Sequence, residues 1–497
     1  MKHILILSIL ATVALPFFFG CSSAPKKPKT MAPKDYSYMK DYLNWHIVKK
    51  MRQNKVVGLS IAVVDDEKII WSKGFGFSDR AGNKAADADT IYRIGSISKV
   101  FTAIGTMQLA EAGKLDPDAP IRTILPEFSI RSRFNSTDGI TPATIMSHHA
   151  GLPCDVFKGW TSESDASLLT RLAEEYTTYP PRTISSYSNA GVSLLGLAIS
   201  RIAGEDFSSH MDRAVFTPMG MHHTSFSLNP AIEKQLARGY AGKKEKKQLP
   251  IRDRAAGSVY SSVSDMSRFM QVILNQGQME NASLISAGTL ARMTRPQNQG
   301  LPLDFGFQTG LGWCLDGFPV PGVKKVIWHN GGTFLFNSHM ALLPEKKLGV
   351  IVLTNSAEGA AIVDDISIRA LELAMTAKYG PGAVPAVPAK TKEKRQTRFD
   401  LAQISRLVGD YGSPDGIFTI AEKGGRLFTD ADGQRLRLVR YESGRIGVQM
   451  MLWGLFPISV KELDDLRFSL ETVDHQDIIV LHTQGISFPL AKKIIPA

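Results

Sequence analysis

Three short segments hold residue types that could carry out acyl transfer if the fold brought them together. The first is Ser96-Ile97-Ser98-Lys99. Ile97, Val100, Phe101, Ile104 and Met107 recur at helical spacing toward Gly113, so the pattern predicts an amphipathic helix opened by the serine. Residues three apart share a helix face, which sets Lys99 beside Ser96. A serine hydroxyl is a poor nucleophile until a base takes its proton. A lysine is such a base only when neutral, and burial or a nearby cation lowers its pKa from about 10.4. Backbone N–H groups at the start of the same helix suit a developing oxyanion. Alone, the segment also fits a capping serine followed by a surface lysine.

The second segment is Tyr187-Ser188-Asn189, after Pro181-Arg182 and before the apolar run Val192 to Ile199. A loop leading into a helix would present Tyr187 and Asn189 at its mouth. A phenol near an ammonium can exchange protons with a serine, and an asparagine amide can hold a substrate carbonyl; an exposed tyrosine and a turn asparagine are the plainer reading. The third is His329-Asn330-Gly331-Gly332, closing an expected strand. Its glycines would let a substrate backbone approach, a backbone N–H could complete an oxyanion hole, and His329 could bind a carboxylate or move a proton. A tight turn after an edge strand would use the same residues.

Taken in order, S-x-x-K, Y-x-N and a basic residue-x-G resemble the serine β-lactamase and penicillin-binding protein superfamily, especially its class C-like branch. Ile91-Tyr92-Arg93-Ile94-Gly95, Ser147-His148-His149-Ala150-Gly151-Leu152-Pro153, Phe216-Thr217-Pro218-Met219-Gly220-Met221 and Gly257-Ser258-Val259-Tyr260-Ser261-Ser262 extend the resemblance over about residues 45 to 378. It implies that Ser96 is acylated, that Lys99 and Tyr187 move its proton as a coupled pair, and that Asn189 contacts the substrate amide. It also implies an oxyanion hole formed by the Ser96 and Gly332 N–H groups, with His329, Gly331 and Gly332 on the substrate side. The third motif departs from that of true β-lactamases, which begins with lysine. A neutral histidine supplies no permanent cation for an antibiotic's carboxylate, so the resemblance is closer to esterase, D-aminopeptidase and peptidase-like members. The expected activity is hydrolysis of an ester or amide, on small esters, D-amino-acid peptides or peptidoglycan stems. The alternative is a penicillin-recognising binding or sensing module with slow or no turnover. No cofactor is implied, and neither His148-His149 nor His222-His223 has a zinc-binding spacing.

The elements that must position these residues follow from patterning. Gly58 to Val64 and Ile69 to Trp71, separated by Asp65-Asp66-Glu67, read as a β-hairpin. Further strand signals appear at Lys325–Trp328, Ser338–Leu343 and Gly349–Leu353, with a mainly helical stretch between the two β-rich ends. The expected fold class is α/β (α+β): an antiparallel sheet flanked by helices, with a helical inserted region, as in β-lactamases and transpeptidases. A small all-β C-terminal domain follows. Expected boundaries are a lipoprotein signal peptide at 1–20, a tether at 21–40, the hydrolase domain at 41–379, a linker at 380–399 and the β-rich domain, for which a barrel is one architecture, at 400–497.

The chain has 497 residues and 43% hydrophobic content, enough for more than one core. Its formal charge of +11 is concentrated in runs such as Lys243 to Lys247 and Lys390 to Arg398. Such runs suit solvated loops, and no interleaving with aromatic residues suggests a nucleic-acid partner. Met1-Lys2-His3 followed by an apolar stretch to Gly20 and then Cys21 reads as an export signal with a lipidated cysteine. The expected location is therefore the bacterial cell envelope, through an N-terminal lipid anchor. Cys154 and Cys314 could pair or remain free thiols.

Overall fold

The computed structural model describes residues 23–492 apart from 133, 135, 160–163, 302–303, 305–306, 386–394, 397, 414–415, 432–433, 443–445, 453–455, 459–466, 474–475 and 484–485. Cys21 and the export signal lie outside the described residues, as does half of the expected linker.

Helix α1 (Ser37–Asn54) leads into β1 (Gly58–Asp65), β2 (Lys68–Asp79) and the short edge strand β3 (Lys84–Ala85). The sheet is completed from far down the chain by β4 (Ile327–Gly332), β5 (Asn337–Leu343) and β6 (Leu348–Thr354). All pairings are antiparallel, in the order β3-β2-β1-β6-β5-β4. The sheet is thus made from both ends of the region, as the β-rich ends predict.

Every residue of β1 is buried because both faces of the sheet are covered. Alternate side chains go to opposite faces. Leu59, Ile61 and Val63 pack with Leu43 and Ile47 of α1 and with Ile366, Ala370 and Ala374 of α5 (Ala360–Tyr379). Ala62 and Val64 face the inserted helices: α2 (Ser98–Glu111), α3 (Asn189–Ala203) and α4 (Val263–Leu274). Asp65 ties the two chain ends together, accepting from Tyr36 at 2.6 Å and pairing with the Lys378 ammonium of α5 at 2.5 Å.

Helix α2 differs from expectation in one respect. The periodicity predicts an amphipathic helix, yet its polar side is buried too. Thr102 Oγ1 donates to the Ala255 carbonyl at 2.7 Å, and Ser98 Oγ accepts from Val259 N at 3.0 Å. Small hydroxyls spend their hydrogen bonds on the segment 255–259, so a second packed surface replaces solvent.

Beyond residue 400 the chain is mainly β. Strands Gly409–Ser413, Gly416–Lys423, Arg426–Ala431, Gln434–Tyr441, Ile446–Leu452, Arg467–Val473, Gln476–Thr483 and Ile486–Lys492 pair antiparallel in succession. Gly409–Ser413 also pairs with Ile486–Lys492, which closes the ring into a barrel. Tyr411, Ile420, Leu427, Leu436, Leu438 and Phe468 belong to its core.

Candidate active site

Ser96 sits in a single 3-10 turn, Gly95–Ile97, immediately before α2. The turn needs glycine at 95: its φ is +53°, and a Cβ there would lie 2.6 Å from Gly332 N. Gly331 meets the same constraint from the other side, since a Cβ on it would stand 2.0 Å from the Ile94 carbonyl oxygen. The end of β4 can therefore lie directly against the serine turn. Side-chain-free backbone at this seam brings the N–H-bearing edge of Gly332 to the cleft that Ser96 lines.

The three sequence segments converge on the Ser96 hydroxyl. Lys99 Nζ is 3.0 Å from Ser96 Oγ and donates to the Ala256 carbonyl at 2.8 Å. Tyr187 Oη is 2.8 Å from the same Oγ. Lys99 is only 2% exposed, and burial, opposed mainly by the negative charge of Asp155, brings its pKa down to about 7. Tyr187 keeps 39% of its surface exposed, yet its hydroxyl is enclosed enough that burial raises the phenol above its ordinary value. The Lys99 ammonium also lies 4.7 Å from the centroid of the Tyr187 ring.

Tyr187 and Asn189 are placed by the entry to α3. Ser188 is the N-cap, accepting from Gly191 N at 2.8 Å while donating to the Pro153 carbonyl at 2.6 Å. The turn 147–153 is the surface on which this loop rests. Ser186 N donates to the His148 carbonyl at 2.7 Å, and Ser188 N to His148 Nδ1 at 3.2 Å. That ring nitrogen is therefore unprotonated, and burial holds His148 neutral, well below the usual histidine pKa. Its ring packs 4.4 Å from that of Tyr187. His149 reaches the other way, 2.8 Å from the buried Asp304, which also accepts from Ser185 N at 2.7 Å. The paired histidines are thus structural supports of the Tyr187 loop. Among the described residues, no group of three His, Cys, Asp or Glu side chains is arranged to hold a metal.

The expected substrate-side residues divide. Asn189 and Gly332 line a cleft of about 330 Å³ together with Ser96. His329 does not reach its surface: it is 3% exposed, and its Nδ1 donates to the Asn330 carbonyl at 2.6 Å. Burial first, then the charge of Lys99, lowers its pKa to about 4, so at neutral pH it is uncharged. A direct ionic contact between His329 and a substrate carboxylate does not fit this placement. Gly331 is likewise buried, serving the seam against Ile94. Cys154 and Cys314 are both free thiols.

Several cleft residues escaped the sequence reading. Asp155, whose Oδ1 accepts from Asn189 Nδ2 at 2.9 Å, lines the cleft with Asp253, Arg93, Phe157 and Phe334. Arg93 stood inside the recognised segment Ile91–Gly95 without a role, and the signal for the others was proximity: Asp155 is two residues beyond Pro153, and Phe334 is two beyond Gly332.

An antiparallel sheet between helical layers, with serine, lysine and tyrosine meeting at one oxygen, defines the class of serine hydrolases built on the β-lactamase and penicillin-binding protein fold. The model of the Beta-lactamase family matches residues 43–374, and the chain belongs to that family. Similar proteins include the unguisins hydrolase ungD of Aspergillus violaceofuscus, 26% identical over 61% of this chain and 59% of that protein. Penicillin-binding protein 4* of Bacillus subtilis is 25% identical over 77% of this chain and 86% of its own length. The solved structure of the octameric penicillin-binding protein homologue from Pyrococcus abyssi covers 90% of this chain and 99% of its own, at 22% identity and a TM-score of 0.60. The last shows likeness of fold. A serine acyl-enzyme mechanism is general in this family.

Proposed function

We propose that this chain hydrolyses an ester or amide through an acyl intermediate on Ser96. The observation that carries the reading is the pair of proton-handling groups at the serine oxygen, Lys99 at 3.0 Å and Tyr187 at 2.8 Å. Lys99, whose burial brings its pKa down to about 7, takes the proton as Ser96 Oγ attacks the acyl carbonyl. The N–H groups of Ser96 and Gly332 receive the oxyanion. Tyr187, whose phenol is held in its protonated form, passes a proton to the departing oxygen or nitrogen and regains one from Lys99. Water then attacks the acyl-serine, and the acid leaves with Ser96 restored. Asn189 holds the substrate carbonyl or amide beside the reacting centre.

Small esters, D-amino-acid peptides and peptidoglycan-derived peptides are the substrate classes this reading admits. Efficient β-lactam hydrolysis is not among them, because uncharged, buried His329 offers no cation. We also place the protein on the bacterial envelope, anchored through Cys21.

The test is intact-mass spectrometry of the full chain, solubilised in detergent, after exposure to a fluorophosphonate. One adduct on wild type, mapped to Ser96 and absent from Ser96→Ala, is the expected result. An unlabelled wild type would overturn the hydrolase reading in favour of a binding module.

A further inference from the structure

We infer that the cleft selects acyl groups bearing a cation, with Asp155 receiving a substrate ammonium, so that amino-bearing acyl esters and amides are the preferred class. This rests on the acyl-serine reading above and deepens it.

The argument begins with the charges around Ser96. Asp155 lines the same cleft as the nucleophile. Its Oδ1 accepts from the neutral amide of Asn189 at 2.9 Å, and Oδ2 accepts from the Cys154 thiol at 3.2 Å. Neither partner carries a positive charge, and Asp155 forms no ion pair within 4.0 Å among the described residues. Of the neighbouring charges, Asp155 acts most strongly on Lys99, so its field reaches the reacting centre.

The other charged groups of the cleft offer a substrate less than Asp155 does. Asp253 is matched by the buried guanidinium of Arg252 at 2.9 Å. Arg93 has neutral partners, its terminal nitrogens donating to the Leu249 carbonyl at 2.7 Å and to Tyr260 Oη at 3.1 Å, but at 8% exposure it presents little of its charge to the cleft. His329 is uncharged at neutral pH. A substrate carboxylate near Asn189 would therefore meet an opposing carboxylate, whereas an ammonium would complete an ion pair.

The apolar part of the cleft points the same way. Phe157 and Phe334 line it at 73% and 61% exposure, beside Ile251 and Ala256. Aromatic faces attract cations as well as apolar side chains. A cleft of about 330 Å³ suits a compact acyl group, with an apolar side chain against the phenylalanines and an amine toward Asp155.

Three 4-nitrophenyl esters that differ only at the α position test this on the full chain: phenylalanyl, 3-phenylpropanoyl and 2-carboxy-3-phenylpropanoyl, giving ammonium, neutral and carboxylate forms. The expected order of kcat/KM is ammonium, then neutral, then carboxylate, with roughly tenfold or more between the extremes, as desolvated charge pairing produces. Asp155→Asn, which keeps the shape, brings the ammonium-to-neutral ratio to about one, while Asp155→Glu retains a preference. The acid limb of the pH profile also moves to lower pH in Asp155→Asn, because the charge that favours the Lys99 ammonium is gone; a packing defect would leave that limb in place. Equal rates for the three esters, a carboxylate preference, or a ratio indifferent to Asp155→Asn would each overturn the inference with acyl-serine chemistry intact. If all three esters were turned over as fast by Ser96→Ala as by wild type, the underlying hydrolase reading would fall instead.

Discussion

Lys99 donates hydrogen bonds as an ammonium and yet must be neutral to act as a base. Its nearly complete burial, opposed mainly by the charge of Asp155, brings its pKa down to about 7. The sign of the pH dependence follows. Only the deprotonated amine can take the Ser96 proton, so acylation should fall about tenfold per unit below pH 7 and level off above it. Fluorophosphonate labelling rates across pH measure this; a rate that fell as pH rose through 7 would contradict Lys99 as the base. Lys99→Arg preserves the charge but cannot lose the proton. It should slow acylation by about 10²–10⁴-fold, the usual contribution of a positioned base. His329 works in the opposite sense, since its low pKa withholds a charge where a lysine would supply one.

At the scale of elements, the start of α3 determines whether Tyr187 and Asn189 face Ser96. Ser188 joins the helix to the 147–153 turn through one hydroxyl that accepts from Gly191 N and donates to the Pro153 carbonyl. Ser188→Ala should cost about 1 kcal/mol of stability, as loss of an N-cap does. It should cost proportionally more in acylation, because on our proposal the flanking Tyr187 moves the proton and Asn189 holds the substrate. Urea denaturation and labelling rate, measured together, check this. An unchanged labelling rate at reduced stability would show that the cap supports the helix without aiming Tyr187. The seam between Gly95 and Gly331 is the matching device on the other wall, where two backbones approach too closely for any Cβ.

Across the whole molecule, two apolar cores sandwich one sheet and a third fills the C-terminal barrel. Among the described residues no helix is long and apolar enough to cross a membrane. On our proposal the lipid at Cys21 holds the protein to the envelope, helped by the chain's net charge of +11 near anionic lipid headgroups. Cys21→Ser should move the protein from the membrane pellet to the soluble fraction of expressing cells. Retention in the pellet would refute lipidation as the anchor.

By itself the sequence determined the nucleophile segment, the lysine beside it, the tyrosine–asparagine loop and the sheet assembled from both ends. These are written in local spacing: three residues set a shared helix face, and alternating apolar runs set the strands. The family resemblance supplied their order. Tertiary structure alone decided the electrostatics of the cleft. That Lys99 is buried, that His329 is withdrawn and uncharged, and that Asp155 stands beside Asn189 without a cation depends on how segments distant in sequence pack. Desolvation and pairing are properties of the assembled surroundings. The polar face of α2 teaches the same lesson, for Ser98 and Thr102 look solvent-facing until the 255–259 segment covers that side.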